Sequence, residues 1–302
     1  MIRPSTGRAA ARALALLVPL ALLLSGCAAE PGAKPAPAPA ETAETRAPAP
    51  VAEDAPIGTP QASEVPPNPG YDQAELDAHL RSAAWSNDVD MAERLIAWGA
   101  NVNAKDDTVR SAYLIATSEG HLELLRLTLA HGADVNDLDS WVGTGLIRAA
   151  ERGHWEVVGA LIRAGVPLDH VNRVGYQAIH EAVIFGRDDE SYHQTVRVLV
   201  AGGADVATPS GSEGLTPVQM ATWKGYPQQA ALLEALTTAP APADPTAALF
   251  AAAEAGDPNA VTIALRAGAP LDARDAAGRT ALEVAEAGNH PVSAGILRAL
   301  GG

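Results

Sequence analysis

From about residue 71 to its end, the chain repeats one pattern of apolar and polar positions. GHLELLRLTLAHGADVN, residues 120–136, aligns with GHWEVVGALIRAGVPLD, residues 153–169, at a period of 33 residues. Self-similarity of this length is typical of solenoids, in which each copy buries the apolar face of its neighbour. We therefore expect about seven helix-turn-helix copies, with first helices starting at equivalent positions: Ala78, Ser111, Thr144, Gln177, Thr216, Ala247 and Thr280.

Shared columns of this internal alignment have a physical interpretation. Five positions after each start every copy has alanine, as expected where neighbouring helices approach too closely for a larger side chain. Two positions after the start, every residue can belong to the core. Nine positions after the start stands glycine or asparagine, the residues that accept the left-handed conformation at a helix end. Six copies have a further glycine, which is predicted to end the second helix.

Two copies depart from the pattern. The fourth carries about five extra residues around Arg187–His193, which are predicted to lengthen the turn between its helices. The fifth lacks the glycine expected near Thr237 and continues into TTAPAPADP, residues 237–245. That segment could bend the stack or split it after five copies, and we expect a continuous stack.

A different pattern occupies the N-terminus. Three arginines and no acidic residue precede an apolar run, Ala13–Leu24, as in a secretory signal peptide. Leu24-Ser25-Gly26-Cys27 resembles the lipobox of bacterial lipoproteins. The resemblance implies cleavage before Cys27, acylation of its sulfur and anchoring by acyl chains. An uncleaved membrane anchor or an incidental cysteine are the alternatives.

The predicted domain organisation follows from these patterns. Residues 1–26 are a lipoprotein signal peptide, and residues 27–70 are a lipidated cysteine followed by a disordered tether rich in alanine and proline. Residues 71–302 are the repeat domain, with a possible break at 237–245.

Charge and cysteine content exclude several kinds of function. The formal charge is -15 and no basic tract is present, which argues against a nucleic-acid partner and against electrostatic attachment to anionic lipid. The single cysteine cannot form an intramolecular disulfide and excludes a cysteine-rich zinc site.

Candidate chemistry is sparse. His121, His154 and His290 occupy one recurring slot of the repeat, ten positions after the helix start, and His180 occupies another, three positions after it, so we expect structural roles for all four. The acidic segment that precedes His193 has no second histidine nearby, so a solvated loop is favoured over a metal site. No phosphate-binding or dinucleotide fingerprint occurs. We predict no catalytic residues, no metal and no cofactor.

Several segments resemble the ankyrin repeat: GYQAIHEA from Gly175, GLTPVQMA from Gly214, GRTALEVA from Gly278 and HGADVN from His131. The resemblance covers roughly residues 75–302. It implies an all-α ankyrin-repeat solenoid, in which antiparallel helix pairs are joined by β-hairpin-like loops. It also implies a concave surface, built from loop tips and first helices, that binds a protein partner.

In ankyrin proteins, the residues that reach this surface lie four, three and one before each start and seven and eight after it. On this register the predicted partner-binding residues are Trp141, Arg152, Tyr176, Ile184, Phe185 and Trp223. Aromatic side chains are typical anchors of protein interfaces. The alternative is that they pack against loops or against the insertion at Arg187–His193.

The leading prediction is a non-catalytic adaptor or scaffold that is anchored by lipid to the bacterial cell envelope. It would lie on the non-cytoplasmic side of the cell membrane or the outer membrane. We expect a monomer that binds a protein partner and reaches the membrane through the lipid on Cys27. An accessory or immunity protein for one envelope enzyme or toxin, a hydrolase, and a small-molecule or cell-wall binder are the alternatives.

Overall fold

The computed structural model describes residues 65–302, so Cys27, the predicted signal peptide and most of the predicted tether lie outside the described residues. The described residues all belong to one structural unit, and they contribute a continuous hydrophobic core.

Fourteen α-helices form seven consecutive pairs in the described part, and each pair is one copy of the repeat. The helices are α1 Gln73–Ser86, α2 Val89–Ala97, α3 Ala112–Glu119, α4 Leu122–Ala130, α5 Gly145–Glu151, α6 Trp155–Arg163, α7 Ala178–Ile184, α8 Glu190–Ala201, α9 Pro217–Lys224, α10 Pro227–Thr238, α11 Pro245–Ala255, α12 Pro258–Arg266, α13 Ala281–Ala287 and α14 Pro291–Leu300. This architecture confirms the predicted all-α solenoid.

Most first helices begin where the repeat predicts, because a capping side chain stands there. Ser111, Thr144 and Thr216 each accept a hydrogen bond from the backbone N–H three residues later. In the first and sixth copies the helix begins earlier than the predicted alanine. The caps there are Asp72 and Asp244, since alanine has no side-chain acceptor.

The predicted core columns are confirmed. All seven alanines of the shared column are buried: Ala83, Ala116, Ala149, Ala182, Ala221, Ala252 and Ala285. The second glycine of each copy that has one adopts positive φ at the end of a second helix: Gly99, Gly132, Gly165, Gly203, Gly268 and Gly301. The repeat pattern therefore marks the same structural positions within each helix pair.

The insertion in the fourth copy is divided between a turn and a helix. Five residues, 185–189, separate α7 from α8, whereas two separate α3 from α4. In addition, α8 has 12 residues where α6 has 9. The prediction of a longer turn is thus correct, but the insertion also adds almost one helical turn.

The expectation of a continuous stack is wrong. Copies 1–5 stack in order, with α1, α3, α5, α7 and α9 in one row and the second helices in another. Copies 6 and 7 do not extend the row of first helices, since α11 does not pack beside α9. Instead α12 packs against α8, and α14 packs against α6, so the chain folds back and covers the second-helix face of the middle copies.

The segment between α10 and α11 explains this reversal. α10 continues to Thr238 without a glycine turn, and Ala239 leaves it in an extended conformation. Three prolines, at positions 240, 242 and 245, then prevent helix continuation. The chain therefore lacks the loop that would place α11 beside α9 in the row of first helices.

Close contacts join the two stacks, which we call the main stack (copies 1–5) and the return stack (copies 6 and 7). A Cβ atom added at Gly159 in α6 would lie 2.5 Å from the backbone oxygen of Ala299 in α14. The Gln194 side-chain amide donates to the Val292 carbonyl at 2.9 Å. The Arg197 Nε donates to Asn259 Oδ1 at 3.0 Å.

Candidate binding surface

Three loop tips stand along the first-helix side of the main stack, and an Asx side chain organises each. In the loop of residues 139–143, Asp139 Oδ1 accepts from the backbone N–H groups of Trp141 at 2.8 Å and Gly143 at 2.9 Å. Asp106 and Asn172 accept equivalent backbone bonds in the loops of residues 106–110 and 172–176. The loops are therefore ordered by local hydrogen bonds, although the described residues contain only one isolated β-bridge.

Neighbouring loop tips are also bonded to each other. The Arg173 N–H donates to the Trp141 carbonyl at 2.9 Å, and the Gly211 N–H donates to the Gly175 carbonyl at 2.7 Å. The Ser212 hydroxyl donates to the Val174 carbonyl. These bonds connect copies 3, 4 and 5, so the side chains at the tips have fixed positions relative to one another.

Large apolar side chains are exposed on this side of the main stack. Trp141 is 53% exposed, Phe185 58% and Trp223 63%. Trp85 and Val174 are also exposed. We name these five residues the apolar stripe. Stacking of repeats places equivalent positions of adjacent copies side by side, and exposed apolar surface of this kind commonly marks an interaction site.

The other three predicted partner-binding residues do not belong to the apolar stripe. Tyr176 was predicted to be exposed, but only 4% of it is accessible, because its ring is covered and its hydroxyl donates to Glu213 Oε1 at 2.6 Å. It supports the loops and cannot be an exposed anchor. Ile184 is half-buried against the core. Arg152 is exposed, and its guanidinium contacts Glu119 Oε1 at 2.6 Å.

Trp85 was missed in the sequence prediction. It lies seven positions after Ala78, a position that the register assigns to the concave surface. The signal for Trp85 is therefore present in the sequence of the first copy. The Arg110 guanidinium lies over the Trp85 ring, 5.1 Å from its centroid, which links copy 1 to the loop of copy 2.

A cavity of about 120 Å³ opens between the loops of copies 2 and 3. Its lining consists of Thr108, Arg110, Leu114, Ser118, Asp139, Ser140, Trp141, Arg148 and Arg152. Pockets for drug-sized ligands usually measure about 300 to 1,000 Å³, so this cavity suits a single side chain better than a whole small molecule.

Arg148 lines this cavity. Its guanidinium is ion-paired to Asp139 and, at 2.6 Å, to Glu151. Although burial opposes it, the hydrogen bonds to Asp139 and Glu151 raise the pKa of the Arg148 guanidinium above its ordinary value. The Arg148 side chain is therefore held in place by two carboxylates at the edge of the cavity.

Glu181 is a buried carboxyl group behind the loops. It is 2% exposed, accepts a hydrogen bond from the Asn172 amide through Oε1, and has no hydrogen-bond partner for Oε2. Burial, together with the charge of Glu151, raises its pKa to about 7, and the bond from Asn172 opposes that shift.

Three of the four repeat histidines have the predicted structural role. His154 Nε2 lies 3.2 Å from the Ser118 carbonyl, His290 Nε2 lies 3.1 Å from the Glu254 carbonyl, and His180 Nε2 lies 3.0 Å from the Thr208 carbonyl. Each bond joins one copy to the next. Burial lowers the pKa of His154 and of His180, which favours their neutral forms.

The acidic insertion also joins two copies. Asp188 contacts His193 at 2.9 Å and accepts backbone bonds from Gln228 and Gln229 at the start of α10. Although burial opposes it, the hydrogen bond from His193 holds the pKa of Asp188 below its ordinary value. The insertion is therefore packed against the fifth copy and is not a free solvated loop.

Within residues 65–302, no cluster of three or more His, Cys, Asp or Glu side chains has the arrangement of a metal site. None of the helices in this part of the chain is both long enough and apolar enough to cross a membrane.

Residues 80–169 and 113–210 match the family model described as ankyrin repeats in 3 copies. An ankyrin repeat domain from Acinetobacter baumannii AYE is 44% identical, with 51% of this chain and 79% of that chain covered and a TM-score of 0.49. The ankyrin repeat protein EF0377 is 33% identical, with 54% of this chain and 85% of that chain covered and a TM-score of 0.51. A comparison with curated proteins gave no match.

The match to EF0377 extends over most of that protein, at 85% of its length. Ankyrin repeats are protein-protein interaction modules and are generally not catalytic. The chain belongs to the ankyrin-repeat family.

Proposed function

We propose that this protein is a non-catalytic adaptor that binds another protein of the bacterial cell envelope through the apolar stripe. In this proposal the acylated sulfur of Cys27 holds the chain to the membrane, and residues 28–64 connect the lipid to the repeats. The exposure of Trp141, Phe185 and Trp223 on bonded, ordered loops and helix ends is the observation that carries the proposal.

The energetic argument favours the two tryptophans as anchors. A large aromatic ring buries about 150–250 Å² at an interface, and anchors of this type lose about 2 kcal/mol or more of binding energy on truncation to alanine. Removal of two anchors is therefore expected to weaken binding by at least about 100-fold. Since both side chains are exposed, their removal leaves the folded core intact.

The test is photo-crosslinking in intact cells. A benzoylphenylalanine in place of Ser140, an exposed residue beside Trp141, is expected to crosslink to the partner, which mass spectrometry then identifies. The same group in place of Arg126, which is exposed on the outer face of α4, is the matched control and is expected to give no such product.

The double variant Trp141→Ala with Trp223→Ala is expected to abolish the crosslink from position 140 without lowering the melting temperature by more than about 2 °C. If the same product forms in the double variant, the apolar stripe is not the binding surface.

A further inference from the structure

We infer that the cavity between the loops of copies 2 and 3 binds the carboxylate of an aspartate or glutamate side chain on the partner. The inference rests on the proposed function, since it takes the partner to be a protein that lies along the apolar stripe. The occupant is an extended acidic segment, with its carboxylate between Arg110 and Arg152 and a neighbouring apolar side chain against Trp141.

The existing ion pairs and hydrogen bonds of each arginine that lines the cavity determine where a ligand carboxylate can bind. Arg148 is neutralised, because it pairs with both Asp139 and Glu151. Arg152 uses Nη1 for Glu119 and for the Ser118 carbonyl, so its Nε and Nη2 donors are left for a ligand. Within residues 65–302, no carboxylate lies within 4.0 Å of the Arg110 guanidinium, which rests on the Trp85 ring.

Charge complementarity selects a carboxylate. Three arginines line the cavity, although the whole chain has a formal charge of -15. Arg148 is offset by its two carboxylates, and Arg152 is paired with Glu119. Within residues 65–302, Arg110 is therefore the one cavity arginine without a carboxylate partner. Asp139 is itself saturated by Arg148 and by two backbone N–H groups. An exposed arginine presents a planar fork of donors that matches a carboxylate. The negative charge of the remaining chain disfavours a polyanion, which would have to approach a much larger surface than this cavity.

Backbone strain singles out the same two loops. Val109 has a φ of 64° and Val142 a φ of 61°, whereas the equivalent residues of later copies, Gly175, Gly214 and Gly278, are glycines. A β-branched residue in the left-handed region is strained, and such strain is commonly stored where a ligand is held. Each valine adjoins a cavity residue: Val109 precedes Arg110, and Val142 follows Trp141.

The test uses phage-displayed random dodecapeptides that are selected on the immobilised full-length protein. The enriched peptides are expected to contain an aspartate or glutamate next to an apolar residue. Their affinity is expected to fall about 10-fold or more for Arg110→Gln, and to fall steeply as salt rises, because exposed charges are screened. Arg126→Gln, an exposed arginine on the outer face of α4, is the matched control and is expected to leave affinity unchanged.

The outcomes separate the two proposals. If enriched peptides lose affinity for Trp141→Ala but contain no acidic residue, or bind Arg110→Gln as tightly as the unmodified protein, the carboxylate site is refuted and the apolar stripe stands. If no peptide is enriched, or if Trp141→Ala does not change binding, the proposed function fails together with the site.

Discussion

Gly159 lies where α6 of the main stack meets α14 of the return stack, and its replacement by leucine is expected to separate the two stacks. The first atom added, a Cβ, would lie 2.5 Å from the oxygen and 2.7 Å from the Cβ of Ala299. The carbonyl carbon of Ala299 would also lie 2.7 Å away, and because it and the oxygen belong to the backbone of α14, a change of rotamer cannot relieve these contacts. The helix α14 has to move away from α6.

The magnitude follows from two opposing effects. Overpacking in a well-packed interior costs about 1–3 kcal/mol, and leucine exceeds that range because its whole side chain must fit. Replacing glycine inside a helix returns up to about 1 kcal/mol through helix propensity. We expect a net loss of about 2 kcal/mol, which corresponds to a fall in melting temperature of about 4–8 °C for a domain of this size.

Arg126→Leu is the matched control. Arg126 is the equivalent residue of α4, one period earlier, and it is exposed because no return stack covers that copy. A surface substitution of this kind is expected to change the free energy of unfolding by no more than about 0.5 kcal/mol. Thermal unfolding of both variants gives the comparison.

Amide hydrogen exchange tests the location of the effect. In the Gly159→Leu variant, protection is expected to fall in α12 and α14 and to remain in α2 and α4. In a continuous stack the outer face of α6 would be open, and leucine would fit there. A Gly159→Leu variant that melts at the same temperature as Arg126→Leu and keeps full protection in α14 would therefore refute the fold-back arrangement.

Two further predictions concern Glu181 and Cys27. The folded pKa of Glu181 is about 7, above its ordinary value of 4.5, so the stability that this carboxyl contributes is present below pH 4.5 and is lost as pH rises through 7. Glu181→Gln is therefore expected to have the same free energy of unfolding as the unmodified protein near pH 4.5 and one about 2–3 kcal/mol higher at pH 8, as measured by urea unfolding. Equal free energies of unfolding at pH 8 would contradict the raised pKa. Cys27→Ser is expected to abolish incorporation of labelled palmitate and release the chain from the membrane fraction, and retained label would disprove acylation at that residue.

The repeat could be predicted from the sequence because each of its positions has one local cause. Capping hydroxyls, buried alanines and left-handed glycines depend on the chain within one copy and its neighbour, so the register of copies 2–5 and the exposure of Trp141, Phe185 and Trp223 could be inferred. Trp85 could have been found by the same rule.

The reversal after copy 5 could not be inferred, because it depends on which faces meet across a long distance in sequence. The outward position of the second helices is Glu93 and Arg126 in the uncovered copies, whereas it is Gly159 in α6 and Gly295 in α14. These glycines explain the close approach once it is seen. Before the close approach of α6 and α14 is known, a glycine inside a helix can be interpreted in several other ways. The burial of Tyr176 was missed for a similar reason, since it depends on Glu213 in the next loop.

The return stack changes how this solenoid can fold. In a linear array of repeats each copy contacts only its neighbours, so the ends can fray and refold separately from the middle. Here the hydrogen bond from Gln194 to Val292 joins residues 98 positions apart, and α14 packs against α6 on the outer face of the third copy. The seventh copy therefore completes the middle of the molecule, and we expect these long-range contacts to make unfolding of the repeats more cooperative, and folding slower, than in a linear array.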